Sequence, residues 1–157
     1  MVTIQLFTLS TMTTQEIIDQ LPYGKSFLFV DELLHIDENG AKGTYTYTKD
    51  IPFYEGHFKN RPVTPAVILT ETMAQIGLVC LGIYLLKDID QNISIAMTSN
   101  AIDFLKPVYP GEQVTVTSEK VYFRFNKLSC RVKMENAAGE MVCKGNISGM
   151  LISKENG

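Results

Sequence analysis

One segment constrains the fold of this chain more than any other. From Ala66 to Leu86 it reads AVILTETMAQIGLVCLGIYLL, with Glu71 as its only charged side chain. A helix of that length would span a hydrocarbon core of about 30 Å. A charge at membrane depth costs ~2.5–3.5 kcal/mol, however, and Gln75 adds a second strongly polar group. A helix apolar on all sides is equally at home in the middle of a water-soluble protein. That reading predicts a core helix covered by the rest of the chain, and it makes the retained carboxylate a candidate functional group.

The cover is written in period-two patterns. Leu128, Cys130, Val132 and Met134 alternate with Ser129, Arg131, Lys133 and Glu135. After a turn at Asn136–Gly139, Met141, Cys143 and Ile147 alternate with Lys144, Asn146 and Ser148. Apolar runs over Ile93–Met97 and at Val114 and Val116 add strands, as does the alternation Thr44-Tyr45-Thr46-Tyr47-Thr48. Phe27–Val30 has strand character, and a turn at Asp37–Gly40 follows Leu33, Leu34 and Ile36. Thr13 to Glu16 has the form of a capping box opening a short helix that ends before Pro22. One long helix with a run of antiparallel strands predicts an α+β fold, a curved antiparallel sheet wrapped around a long central helix. A length of 157 residues fits one domain, residues 1–157.

Charge and cysteine usage narrow the function. The net charge is −3 and no Lys/Arg run is present, which speaks against nucleic acid as partner. Cys80, Cys130 and Cys143 lie in apolar or alternating stretches without a C-x-x-C, so reduced core thiols are expected, with no metal site. The N-terminus lacks a basic region before its apolar start and does not have the form of a signal peptide, which predicts a cytoplasmic location.

Chemistry concentrates between Gly56 and Gln75. Pro52, Gly56, Pro62 and Pro65 shape a loop that carries His57 and Phe58 into the apolar helix. Thr64 is the expected N-cap and Pro65 the first helical residue. A neutral imidazole at pH 7 can accept a proton. A carboxyl among apolar neighbours can hold one and donate it, and a helix N-terminus offers N–H groups to a developing oxyanion. Base, acid and oxyanion donor together suit loss of water β to a carbonyl. The bland readings are a structural turn histidine and a buried glutamate paired with Lys or Arg. His35, after Leu33 and Leu34, is expected at the surface. Met73, Met97, Phe104 and Tyr109 are read as core residues or as the lining of an acyl tunnel.

The run EGHFKNRPVTPAVILTETMAQ resembles the active-site segment of the β-hydroxyacyl-acyl-carrier-protein dehydratases of the hot-dog fold. Their pattern is G-H-F-P, a proline, a P-G-V helix start and L-E-A-M-A-Q. Leu21-Pro22, Phe27–Asp31, Phe104–Val108 and Pro110–Glu112 extend the likeness over nearly the whole chain. The resemblance implies His57 as base, with its second ring nitrogen held by the Val63 carbonyl, and Glu71 as acid. The Ala66 backbone N–H would polarise the thioester carbonyl, and Gly56, Phe58 and Gln75 would contact substrate. It further implies an acyl carrier protein or CoA thioester substrate, no cofactor, no membrane, and a homodimer or higher oligomer whose sites draw His and Glu from different subunits. Glutamate at position 71 resembles the dehydration-only branch. Lys59-Asn60 replaces the usual Pro-Gly, Ala66 the usual glycine, and Tyr23–Ser26 a more basic segment. These departures open the substrate range from fatty acid synthesis to specialised polyene precursors. A hot-dog acyl thioesterase and a catalytically silent partner of an active dehydratase remain the competing functions.

Overall fold

The computed structural model describes residues 12–86 and 93–153. The apolar start within residues 1–11 therefore lies outside the described residues. Helix α1, Thr14–Asp19, opens on the expected capping box. The Thr13 side chain accepts from the Glu16 amide, and the Glu16 carboxylate accepts from the Thr13 amide.

The central helix runs from Ala66 to Leu85. It comprises α2 (Ala66–Met73), a π-helical stretch (Ala74–Val79) and α3 (Cys80–Leu85). The sequence gives no sign of the π turn, a feature that recurs at functional sites. Around the helix lies one antiparallel sheet of β1 (Glu32–Asp37), β2 (Gly40–Thr46), β3 (Ile93–Phe104), β4 (Gln113–Arg124), β5 (Lys127–Asn136) and β6 (Met141–Ser153), in the order β1-β2-β4-β5-β6-β3. The helix packs on β2, β4, β5 and β6. Long as it is, the helix has 72% of its most apolar window buried within the protein, as a core helix should.

The alternation in β5 holds fully, with Leu128, Cys130, Val132 and Met134 all buried. In β6 the expected alternation is displaced. Val142 and Cys143 are both buried and Met141 only half so, because the β5–β6 register shifts between Met134 and Glu135. Helix and sheet approach closely at Gly82, where an added Cβ would lie 1.7 Å from Cδ1 of Ile95 and would displace that side chain. All three cysteines are free and buried, and Cys143 Sγ lies 3.7 Å from Met73 Sδ.

The strand expected over Phe27–Val30 is absent. Lys25–Phe27 forms a 3-10 turn and the chain then runs extended into β1. The physical reason is the side chain of Gln75, which takes up the Phe29 amide at 2.8 Å and the Phe27 carbonyl at 2.9 Å. Those are the groups a neighbouring strand would need.

Candidate active site

The loop before the central helix is held by its own backbone. A 3-10 turn, Pro52–Glu55, leads into Gly56 and His57, whose amides both turn back to the Phe53 carbonyl. Phe58 and Arg61 exchange N–H···O bonds at 3.1 Å, and the Val63 amide donates to the His57 carbonyl at 2.9 Å. His57 is thus tied to Val63 twice, through its main-chain carbonyl and through its ring. His57 Nδ1 lies 2.9 Å from the Val63 carbonyl oxygen. A carbonyl can only accept, so Nδ1 carries the proton and Nε2 of the neutral ring is left as the acceptor. The ring also stacks on Phe58, with centroids 4.2 Å apart.

The expected cap is corrected by the structure. Pro65, at φ −59° and ψ 139°, is itself the N-cap, and no side chain caps the helix. The Thr64 hydroxyl is bonded instead to Tyr54 Oη at 2.5 Å, and its amide to the Val108 carbonyl. The Pro65 carbonyl takes the Ile68 and Leu69 amides, so those of Ala66 and Val67 have no acceptor within the helix. Both residues are exposed, with Val67 at 73%. Ala66 lies inside the helix, where φ is negative, so its methyl group does not disturb the N–H.

Glu71 is half-buried, one turn beyond these amides. It accepts a hydrogen bond from Gln75 Nε2 at 3.0 Å, and Gln75 is wholly buried. Tyr23 was not among the expected site residues. Its phenol is pushed up to about 12, first by burial and then by the charges of Glu71 and Cys80, so it stays neutral. Nothing in the sequence signals that the charge of Glu71 would act on Tyr23. From Tyr23 a ladder of rings runs through Phe27, Phe29 and Tyr45 to Tyr47, with successive centroids 6.1, 5.1, 5.5 and 4.9 Å apart.

Two hollows flank the loop. Phe58, Lys59, Asn60, Arg61, Val63 and Tyr109 line one of about 560 Å³. The other, of about 280 Å³, lies at the helix start against Thr64, Ala66, Leu69 and the segment Phe104–Pro107. Of the four residues read as core or tunnel lining, Met73 is core, while Phe104 and Tyr109 are about half exposed and line these hollows. Met97 is exposed on β3. His35 is at the surface as expected, bonded to Asp37 at 2.9 Å.

A profile of the FabA-like domain matches residues 21–148. The chain belongs to the FabA-like family. It is 36% identical to the 3-hydroxyacyl-(acyl-carrier-protein) dehydratase FabZ of Sinorhizobium fredii over 94% of this chain and 95% of that one. The FabZ of Rhizobium etli is also 36% identical, over 94% of each chain. Among solved structures, the dehydratase heterocomplex ApeI:P from Xenorhabdus doucetiae matches with a TM-score of 0.72 at 13% identity, over 88% of this chain and 92% of that one. A thioesterase from Haemophilus influenzae matches at 0.67 and 14% identity, over 92% and 93%. Identities that low speak for the fold alone, and the fold is the hot dog. Family membership makes this chain a hydro-lyase, a dehydratase of fatty-acid biosynthesis.

Proposed function

We propose that the chain removes water from a β-hydroxyacyl thioester carried by an acyl carrier protein, giving the trans-2-enoyl thioester, in a cytoplasmic homodimer. The observation that carries this reading is the bond from His57 Nδ1 to Val63, which leaves Nε2 as a base on the loop that leads into an uncapped helix N-terminus. Nε2 takes the α-proton, and the C–H electron pair passes into an enolate whose oxygen accepts the Ala66 N–H. The pair returns to form the Cα=Cβ bond as the Cβ–O bond breaks, and the leaving oxygen takes the Glu71 proton and departs as water. Passage of a proton from His57 to Glu71, directly or through solvent, resets the site. Every electron comes from the substrate, so the scheme calls for no cofactor.

His57 and Glu71 of one site are proposed to come from different copies. Among the described residues strand β3 is a sheet edge of 12 residues, paired on one side by β6, and it exposes Met97 and Phe104. A bare edge of that length is satisfied by a second sheet. Gly56 and Phe58 would form the near wall of the substrate channel, and the exposed Lys59 and Arg61 would meet an acidic carrier. Lys106 is less free to do so, being paired with Glu140.

The test is mass spectrometry of β-hydroxyacyl chains of fatty and polyene type, each on carrier protein and on CoA. Loss of one water from carrier-bound substrates is the expected result. Release of the free acid would replace the reading with a thioesterase. Turnover only in the presence of another dehydratase would replace it with a silent partner.

A further inference from the structure

The geometry points to Tyr54 as a positioning residue for the base, acting through the Thr64 hydroxyl on the peptide unit that selects the tautomer of His57. The inference rests on the dehydratase reading above and carries it one step outward from the reacting atoms. Tyr54 and Thr64 stand ten residues apart, at the two ends of the segment that holds His57. Both are buried, at 6% and 5% exposure, and their hydroxyl oxygens lie 2.5 Å apart. Tyr54 is rooted in the 3-10 turn Pro52–Glu55, with its amide bonded to the Ile51 carbonyl at 3.1 Å. Burial raises its phenol above the ordinary value of 10.0, so the hydroxyl keeps its proton at neutral pH.

The other end of this staple reaches the imidazole through one peptide plane. The Val63 carbonyl and the Thr64 amide belong to the same planar unit, so neither turns without the other. The Thr64 amide donates to the carbonyl of fully buried Val108 at 2.8 Å. The Val63 carbonyl accepts from His57 Nδ1 at 2.9 Å. With Val108 on one edge of the plane and His57 on the other, the bond from the Thr64 side chain to Tyr54 is a third point of support. A carbonyl aimed at Nδ1 keeps the proton there and leaves Nε2 bare. Once the plane swings away, the proton can move to Nε2, and a neutral ring protonated there cannot take the α-proton. The hydroxyl pair thus serves the base although neither member touches a reacting atom.

The test reads the tautomer directly, by nitrogen NMR of the full-length protein carrying isotope-labelled histidine. The chain has two histidines, His35 and His57, so only two rings need assignment. Spectra are taken without substrate, above the imidazole range near about 6.5, where the ring is neutral. The wild type should show His57 protonated at Nδ1 alone. Tyr54→Phe should show a mixture, with part of the proton moved to Nε2. On a carrier-bound β-hydroxyacyl substrate kcat should fall with the Nδ1-protonated fraction, ~2–10-fold, the size of losing one neutral hydrogen bond. KM should stay at the wild-type value, because the two hydroxyls are buried and occupied with each other. Thr64→Val removes the same bond and should give the same mixture, and adding it to Tyr54→Phe should change nothing further. Thr64→Ser keeps the hydroxyl and should keep the wild-type tautomer and rate. A ring protonated at Nδ1 alone in Tyr54→Phe overturns the proposal whatever the rate, since the tyrosine would then be merely structural. A mixed ring with kcat intact, or a mixed ring in Thr64→Ser, also overturns it. If Tyr54→Phe does not fold, Thr64→Val is read by the same criteria. Failure of the dehydratase reading is visible separately, as a wild-type protein that removes no water while its tautomer still follows the hydroxyl pair.

Discussion

The two halves of the central helix differ in what surrounds them. Over Ala66–Met73 the helix begins uncapped, exposes Ala66 and Val67, and leaves Glu71 half-buried. From Ala74 to Gly82 every residue is buried, and the polar one, Gln75, has its donors and acceptor filled by Phe27, Phe29 and Glu71. One half keeps unsatisfied groups near solvent, which is what a reaction needs. The other half satisfies everything, which is what a core needs. Glu71 and Gln75 stand one turn apart and differ by a single atom type, yet they fall on opposite sides of that boundary.

Substitutions on the open half should abolish activity and spare the fold. His57→Ala removes a general base, a loss of about 10²–10⁴-fold in rate, and Glu71→Gln should be similarly impaired. Neither side chain is fully buried, so thermal melting should shift little. If base and acid belong to one site, the double mutant should be little worse than the worse single mutant. Mixing the two single mutants should restore at most roughly a quarter of the wild-type rate, since half the dimers are then mixed and each holds one intact site. Absence of recovery under confirmed subunit exchange would place both groups of a site on one chain.

On the closed half the signs should reverse. Leu81 is fully buried, and Leu81→Ala should cost about 2–5 kcal/mol in chemical unfolding while the folded fraction keeps its kcat. A kcat loss with unchanged stability would erase the boundary between the two halves.

The same burial makes alkali a probe of the core. Burial pushes the thiols of Cys80, Cys130 and Cys143 from 9.0 up to about 12, and the Tyr45 phenol from 10.0 up to about 12. The folded state therefore resists losing these protons more than the unfolded state does. Their contribution to stability is fully present below pH 9.0 and is lost progressively as the pH rises toward 12. Urea midpoints that stay level through this window would show that the thiols are reached by solvent.

How much of this was legible in the sequence follows from the range of each signal. Local, repeating signals transferred well, as in the alternation of Leu128 to Met134, the capping box at Thr13 and the helix from Ala66. His57 and Glu71 could be read as candidates because both belong to one contiguous motif. Signals that depend on a distant partner did not transfer. The apolar run Phe27–Val30 gave no hint that Gln75 would claim its backbone, nor did Tyr23 signal that the Glu71 charge would act on it. The β4–β5 turn at Phe125 and Asn126, with φ of 52° and 61°, lacks the glycine that marks such turns.

The aromatic ladder gives the finest test of where the scaffold stops. Tyr47 is fully buried, and its hydroxyl lies 2.5 Å from Thr72 Oγ1, next in sequence to Glu71. Thr72 gives its own proton to the Ile68 carbonyl at 2.8 Å, so Tyr47 must be the donor. Burial raises the phenol's pKa strongly, which keeps that donor protonated. Tyr47→Phe then removes one hydrogen bond while the Thr72 proton keeps its acceptor, and no donor is orphaned. The expected cost is about 0.5–1.5 kcal/mol of stability, read from urea unfolding, with kcat unchanged. The rate is spared because Thr72 is fully buried whereas Glu71 is only half so, and the two side chains leave the helix in different directions. A tenfold fall in kcat at near-native stability would mean that the ladder transmits to the acid, and the site would then extend as far as Tyr47.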